Sequence, residues 1–121
     1  MDVLQTLDAA QSAIAKAVFL TFERRDWDVV EYRAAFTPTA DVWSSAYDLI
    51  HDGGRKESVL PTVAQSGSIN SLAHQHWRLT QELGLRRWYK MTVKVQRTGH
   101  FNVEFEYRDH YREGDIMREQ G

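Results

Sequence analysis

Apolar and polar residues alternate on both sides of Gly99, over residues 88–109. The apolar positions share one parity: Tyr89, Met91, Val93, Val95, Phe101, Val103, Phe105 and Tyr107. A period of two is typical of a strand with one buried face, and two such runs around a short glycine-containing break predict a β-hairpin.

The parity also predicts the register of this hairpin. A three-residue loop over 97–99 pairs Val95 with Phe101 and puts all the apolar residues on one face, whereas a two-residue loop pairs each of them with a polar residue. The longer loop places Gly99 at the left-handed position and Lys90 opposite Glu106. Because an isolated hairpin is not stable in water, other elements must cover its apolar face.

Two amphipathic helices are predicted, over 2–22 and from Ser68, as N-cap, to Leu83. Strands are predicted over 27–36 and 42–50, with a short edge strand over 58–60. The buried face of 42–50 stays open, because its apolar residues have both parities.

The predicted order is α-β-β-(β)-α-β-β. It indicates an α+β fold, a two-layer domain in which an antiparallel sheet of four to five strands carries both helices on one face. We expect residues 1–121 to form a single domain, with the main C-terminal hairpin at 88–108 and a polar tail at 110–121.

Composition narrows the class of protein. The 121 residues are 42% apolar and 26% charged, with no cysteine and a net charge of −2. Disulfides and thiolate metal sites are therefore excluded. A dedicated nucleic-acid binder is disfavoured, because such proteins are usually basic. Asp2 and Asp8 argue against a signal peptide, and no apolar run reaches membrane-spanning length. We expect a protein that binds neither nucleic acid nor membrane directly.

The histidines do not form a catalytic or metal-binding pattern. His74 and His76 are two residues apart on a predicted helix and point about 200° away from each other. His76 lies on the apolar stripe, where a hydrogen-bonded core or rim histidine is expected. We predict no catalytic residues, no metal and no cofactor. The alternative is a small ligand-binding domain or enzyme that uses His76 or Tyr47 in a pocket between helix and sheet.

Four residues are candidates for binding a partner: Trp88, Glu104, Glu106 and Asp109. Parity places Glu104 and Glu106 on the outer face of the hairpin, and exposed carboxylates beside an aromatic residue suit a basic partner. The alternative is a solvated strand face with cross-strand ion pairs. Parity places Trp88 on the same face, where an exposed tryptophan can anchor a partner. The alternatives are that Trp88 stacks on Arg108 or is covered by the tail.

The hairpin sequence resembles the C-terminal signature of the YezG-like antitoxin (immunity protein) family of bacterial polymorphic (contact-dependent) toxin systems. The shared pattern runs from Trp88 through the apolar positions and Gly99 to Tyr107 and Asp109. The order of elements before it is also similar. Glu104 and Glu106 stand where the family often has aspartate, which keeps the charge.

This resemblance implies a cytoplasmic immunity protein, without catalysis of its own. Such a protein binds and neutralises the C-terminal domain of a toxin encoded nearby, often a nuclease, by a stoichiometric protein–protein interaction. A monomer or weak homodimer is expected. The alternative is a generic protein-interaction or scaffold domain.

Overall fold

In the computed structural model, residues 3–36, 43–86 and 88–107 are described. Two helices and five strands follow one another in these ranges: α1 (Val3–Phe22), β1 (Val29–Phe36), β2 (Trp43–Ile50), β3 (Lys56–Val59), α2 (Val63–Glu82), β4 (Lys90–Gln96) and β5 (Phe101–Glu106). A single 3₁₀ turn, Asp52–Gly54, joins β2 to β3. The predicted order of elements is confirmed, including the short third strand.

The five strands form one antiparallel sheet in the order β3-β2-β1-β4-β5. Three neighbouring pairs are consecutive in sequence, and α2 carries the chain across from β3 to β4, which pairs with β1. The predicted α+β fold is confirmed. Because β1 is central, β3 and β5 are the two edges.

Both helices lie on one face of the sheet, as predicted. On that face β1 and β2 place Tyr32 directly beside Tyr47, with ring centroids 5.1 Å apart. Phe22 of α1 contacts Tyr47, and Trp77 of α2 contacts Phe36 at the other end of β1. This settles the face of β2: Tyr47 and Leu49 are buried against the helices.

The predicted hairpin register is confirmed. Val95 pairs with Phe101, Met91 with Phe105, and Lys90 with Glu106. Gln96 N donates to His100 O at 2.7 Å, which closes the three-residue loop, and Gly99 has φ +96°.

Burial along the hairpin differs from the prediction of one fully buried face. Met91, Val93 and Val95 of β4 are buried, but Phe101 of β5 is 38% exposed. The reason is that β5 is an edge strand, whereas the helices cover the middle of the sheet. Tyr89 precedes the β4 ladder, and its hydroxyl donates to Glu106 Oε1 at 3.2 Å.

Helix α2 begins at Val63, and its N-cap, Thr62, lies six residues before the predicted N-cap, Ser68. Thr62 Oγ1 accepts from Gln65 N at 3.1 Å, and Gln65 Oε1 accepts from Thr62 N at 3.0 Å. This reciprocal capping box satisfies two backbone donors that a helix start otherwise leaves open. The expected cap at Ser68 was wrong, and residues 63–67 form the first part of the helix.

Candidate partner-binding surface

The two candidate glutamates lie on the face of the sheet that carries no helix. Glu104 and Glu106 have side chains 61% and 54% exposed. Lys94 Nζ lies 3.9 Å from Glu104 Oε1, and Lys90 Nζ lies 3.4 Å from Glu106 Oε2. Exposed ion pairs of this kind hold their partners weakly, at about 0–1 kcal/mol each. The structure therefore shows the solvated face with cross-strand partners, and its carboxylates remain open to contact.

The carboxylates nearer the centre of the same face are covered instead. Arg33 Nη1 donates to Asp48 Oδ2 at 2.7 Å and to Glu31 Oε2 at 3.1 Å. Lys56 Nζ lies 3.6 Å from Glu31. Glu31 and Asp48 are buried although no helix lies over them, because long basic side chains extend across them. Of the carboxylates on this face in the described strands, those of β5 are the accessible ones.

A shallow cleft of about 370 Å³ lies beside this network on the helix-free face. Its floor is formed by small residues, among them Ala35, Ser44 and Ala46, and Arg33 and Lys90 lie at its margin. The face is thus mixed in charge: Arg33 and Lys90 lie beside the cleft, and the carboxylates of Glu104 and Glu106 lie on β5.

The placement of Trp88 on the exposed face was wrong. Trp88 is fully buried, and its indole Nε1 donates to His76 Nδ1 at 3.2 Å. Trp77 Nε1 in turn donates to Trp88 O at 3.2 Å. Because β4 begins only at Lys90, the two-residue period of the strand does not extend back to Trp88. Trp88 is part of the core and contributes no exposed contact.

Asp109 and Arg108, the predicted neighbour of Trp88, lie outside the described residues. The predicted polar tail at 110–121 lies outside them as well. The candidate surface therefore consists of Glu104 and Glu106, with Lys90 and Lys94 beside them.

His76 is a hydrogen-bonded core histidine, as predicted. It is 2% exposed, and its ring stacks on Phe105 with centroids 5.3 Å apart. Since the Trp88 indole can only donate, His76 Nδ1 accepts and Nε2 carries the proton. Nε2 lies 3.2 Å from Gln11 Nε2, and a half-turn of this amide, whose nitrogen and oxygen have nearly the same shape, places its oxygen there as the acceptor. Both ring nitrogens are thus occupied inside the protein, so neither is open to a ligand.

Tyr47, the other residue of the ligand-binding alternative, is also buried. Burial raises the pKa of the Tyr47 hydroxyl, and this effect outweighs the opposing, lowering effect of the nearby Ser66 and Ser45 side chains. No hydrogen bond of normal geometry to its hydroxyl exists among the described residues. The hydroxyl of the neighbouring Tyr32, by contrast, donates to Asn70 Oδ1 at 2.9 Å.

We expect Tyr47→Phe to raise the free energy of unfolding by about 1 kcal/mol, because a buried polar group without a partner is costly. Tyr32→Phe is the matched control and should lower it by about 1 kcal/mol through loss of the Asn70 hydrogen bond. Urea unfolding of the two variants measures both values. A Tyr47→Phe variant as destabilised as Tyr32→Phe would show that the Tyr47 hydroxyl is bonded in solution.

No group of three or more His, Asp or Glu side chains among the described residues is arranged to hold a metal ion. Neither α1 nor α2 combines the length and apolar character of a membrane span.

No protein-family model and no curated protein matches this chain.

Proposed function

We propose that this protein is an immunity protein (antitoxin) that binds a cognate bacterial toxin domain in the cytoplasm and neutralises it by stoichiometric contact. The observation that carries the proposal is the pair of accessible carboxylates on β5. They lie on the helix-free face of the sheet, where the other carboxylates of the described strands are covered. A nuclease is the expected toxin activity. Such an enzyme binds phosphates through Lys and Arg side chains, and an acidic surface complements them.

The resemblance of the hairpin to the YezG-like family supports the same proposal. Its signature positions build the hairpin: Met91, Val93 and Val95 are core residues, and Gly99 adopts the positive φ of the turn. The resemblance thus concerns the shape of the hairpin that presents Glu104 and Glu106. These two side chains, outside the packed core, are where contacts with a particular toxin are expected.

Growth rescue tests the proposal. The toxin domain encoded by the adjacent gene is expressed with and without this protein, and the pair is then purified together. Restored growth with a 1:1 complex is the expected result. The absence of both rescue and complex formation would contradict the proposal and would favour a scaffold domain with another partner.

Charge reversal tests the surface. We expect Glu104→Lys with Glu106→Lys to weaken toxin binding at least tenfold, about 1.4 kcal/mol, with a slower association rate because the electrostatic attraction is lost. The matched control is Glu23→Lys with Asp26→Lys, two exposed residues between α1 and β1 with the same change in net charge. Calorimetry gives both affinities. Equal weakening by the two double variants would mean that overall charge, and no contact on β5, governs binding.

A further inference from the structure

One edge of the sheet, strand β5, has an unpaired outer side among the residues that the structure describes. Strand β5 pairs with β4 on one side, and no described residue pairs with its other side. The opposite edge, β3, has four residues, includes Lys56 and is followed by Pro61, all of which discourage pairing. Strand β5 has six residues and contains neither lysine nor proline. It is therefore the less protected edge.

The hydrogen bonds of the hairpin show which backbone groups this edge offers. Gln96 N donates to His100 O, and the residues of β5 then alternate between bonding to β4 and pointing away from it. By this alternation, Asn102, Glu104 and Glu106 face β4. The N–H and C=O groups of Phe101, Val103 and Phe105 point outward, in the pattern that an added strand requires.

The helix side of this edge has space for apolar side chains. A groove of about 420 Å³ lies between α1 and the loop end of the hairpin, lined by Phe19, Leu20, Val95 and Phe101, among others. Leu20 is 52% exposed and Phe101 is 38% exposed. Apolar residues of an added strand would lie beside Phe101 and cover this surface.

The other side of the edge selects the charge of its occupant. In a strand added to β5, the side chains on the helix-free face lie next to Glu104 and Glu106, which are more than half exposed. Antiparallel pairing of β5 with a second copy, centred on Val103, places Asn102 opposite Glu104 and His100 opposite Glu106, and it makes the two Glu104 side chains diagonal neighbours. Such a pairing offers the carboxylates no lysine or arginine. Lysine or arginine at these positions would instead form cross-strand ion pairs.

We propose that β5 is a docking edge for a partner strand in which apolar and basic residues alternate. The apolar residues cover Phe101 on the helix side, and the basic residues pair with Glu104 and Glu106. Under the proposed function, on which this assignment of the partner rests, the strand belongs to the toxin domain.

Amide hydrogen exchange, read by NMR, tests the edge in the wild-type protein. In the free protein we expect the outward amides of Phe101, Val103 and Phe105 to exchange at least tenfold faster than that of Glu104. In the complex with the adjacent-gene toxin domain they should slow at least a hundredfold. Unchanged exchange in the complex would overturn the proposal. Protection already present in the free protein would also overturn it, because the edge would then be occupied.

A proline variant tests the same backbone groups. Val103→Pro removes an outward donor and leaves the bonds to β4 in place, since proline is tolerated where the N–H faces away from the sheet. We expect at least a tenfold loss of affinity for the toxin domain. The matched control is Ser58→Pro, which removes an outward donor at the β3 edge. Equal affinities of the two variants would contradict the proposal. Should Val103→Pro fail to fold, the hydrogen-exchange experiment on the wild-type protein tests the proposal instead.

Peptide probes separate this inference from the proposed function. A nine-residue blocked peptide of alternating valine and lysine should shift the amide resonances of β5. A control peptide of the same length, with glutamate in place of each lysine, should not. If the lysine peptide binds but the toxin domain does not, the proposed function fails and the docking edge stands. If the toxin domain binds while the outward amides stay exposed and neither peptide binds, the docking edge fails and the proposed function stands.

Discussion

Replacing Trp88 by alanine should lower the free energy of unfolding by about 3–5 kcal/mol, the usual cost of truncating a large aromatic residue in a core. Trp88 is fully buried, contacts Phe36 and Phe105, and donates to His76. Its loss leaves a cavity and an acceptor without a partner. Urea unfolding, followed by far-UV circular dichroism, measures the change.

The control for this variant is Trp88→Phe, which keeps an aromatic ring in the core and removes only the indole donor. We expect it to cost about 1–3 kcal/mol, as for a buried group left unsatisfied. A Trp88→Ala variant that folds with nearly wild-type stability but no longer binds the toxin domain would contradict the core position and restore Trp88 as an exposed anchor.

The second large effect concerns pH. Burial lowers the pKa of His76 to about 4, from a usual value of 6.5. Between these two values the unfolded chain binds a proton that the folded protein does not, so stability falls as pH falls. We expect a loss of about 3 kcal/mol between pH 7 and pH 4 from this residue. Above pH 7 its contribution is constant.

Urea unfolding of the wild type and of His76→Gln between pH 7 and pH 4 measures this contribution. Glutamine can accept from the Trp88 indole but does not titrate, so the variant should lose the part of the pH dependence that His76 causes. Glu57 adds acid sensitivity in both proteins, because its hydrogen bond to His51 lowers the pKa of its carboxyl. Parallel curves for the two proteins would show that His76 is not the titrating group.

The proposed surface depends on contrasts that appear only after folding. Four strand carboxylates share the helix-free face, but Arg33 and Lys56 cover Glu31 and Asp48, while Glu104 and Glu106 remain exposed. Sequence parity leaves the face of Asp48 open and gives no difference in exposure between Glu31 and the two glutamates of β5. The difference follows from position in the sheet: central residues have neighbours on both sides, and residues of an edge strand on one.

A local signal for the start of α2 was present in the sequence. Thr62 and Gln65 have the spacing of a capping box, and Ser68 is also a residue type that caps helices. Both hydrogen bonds of the box form in the structure. The prediction failed because capping residues are common, and only the helix that follows shows which one is used.

The sequence by itself determined the order of elements, the α+β fold and the register of the hairpin. These follow from spacing along the chain, because a one-residue shift would move every apolar residue of a strand to the other face, and Gly99 permits the turn. Tertiary structure decided the burial of Trp88 beside His76 and the exposure of β5. Both depend on which residues distant in sequence come together in the core, and a local pattern of apolar and polar positions does not contain that information.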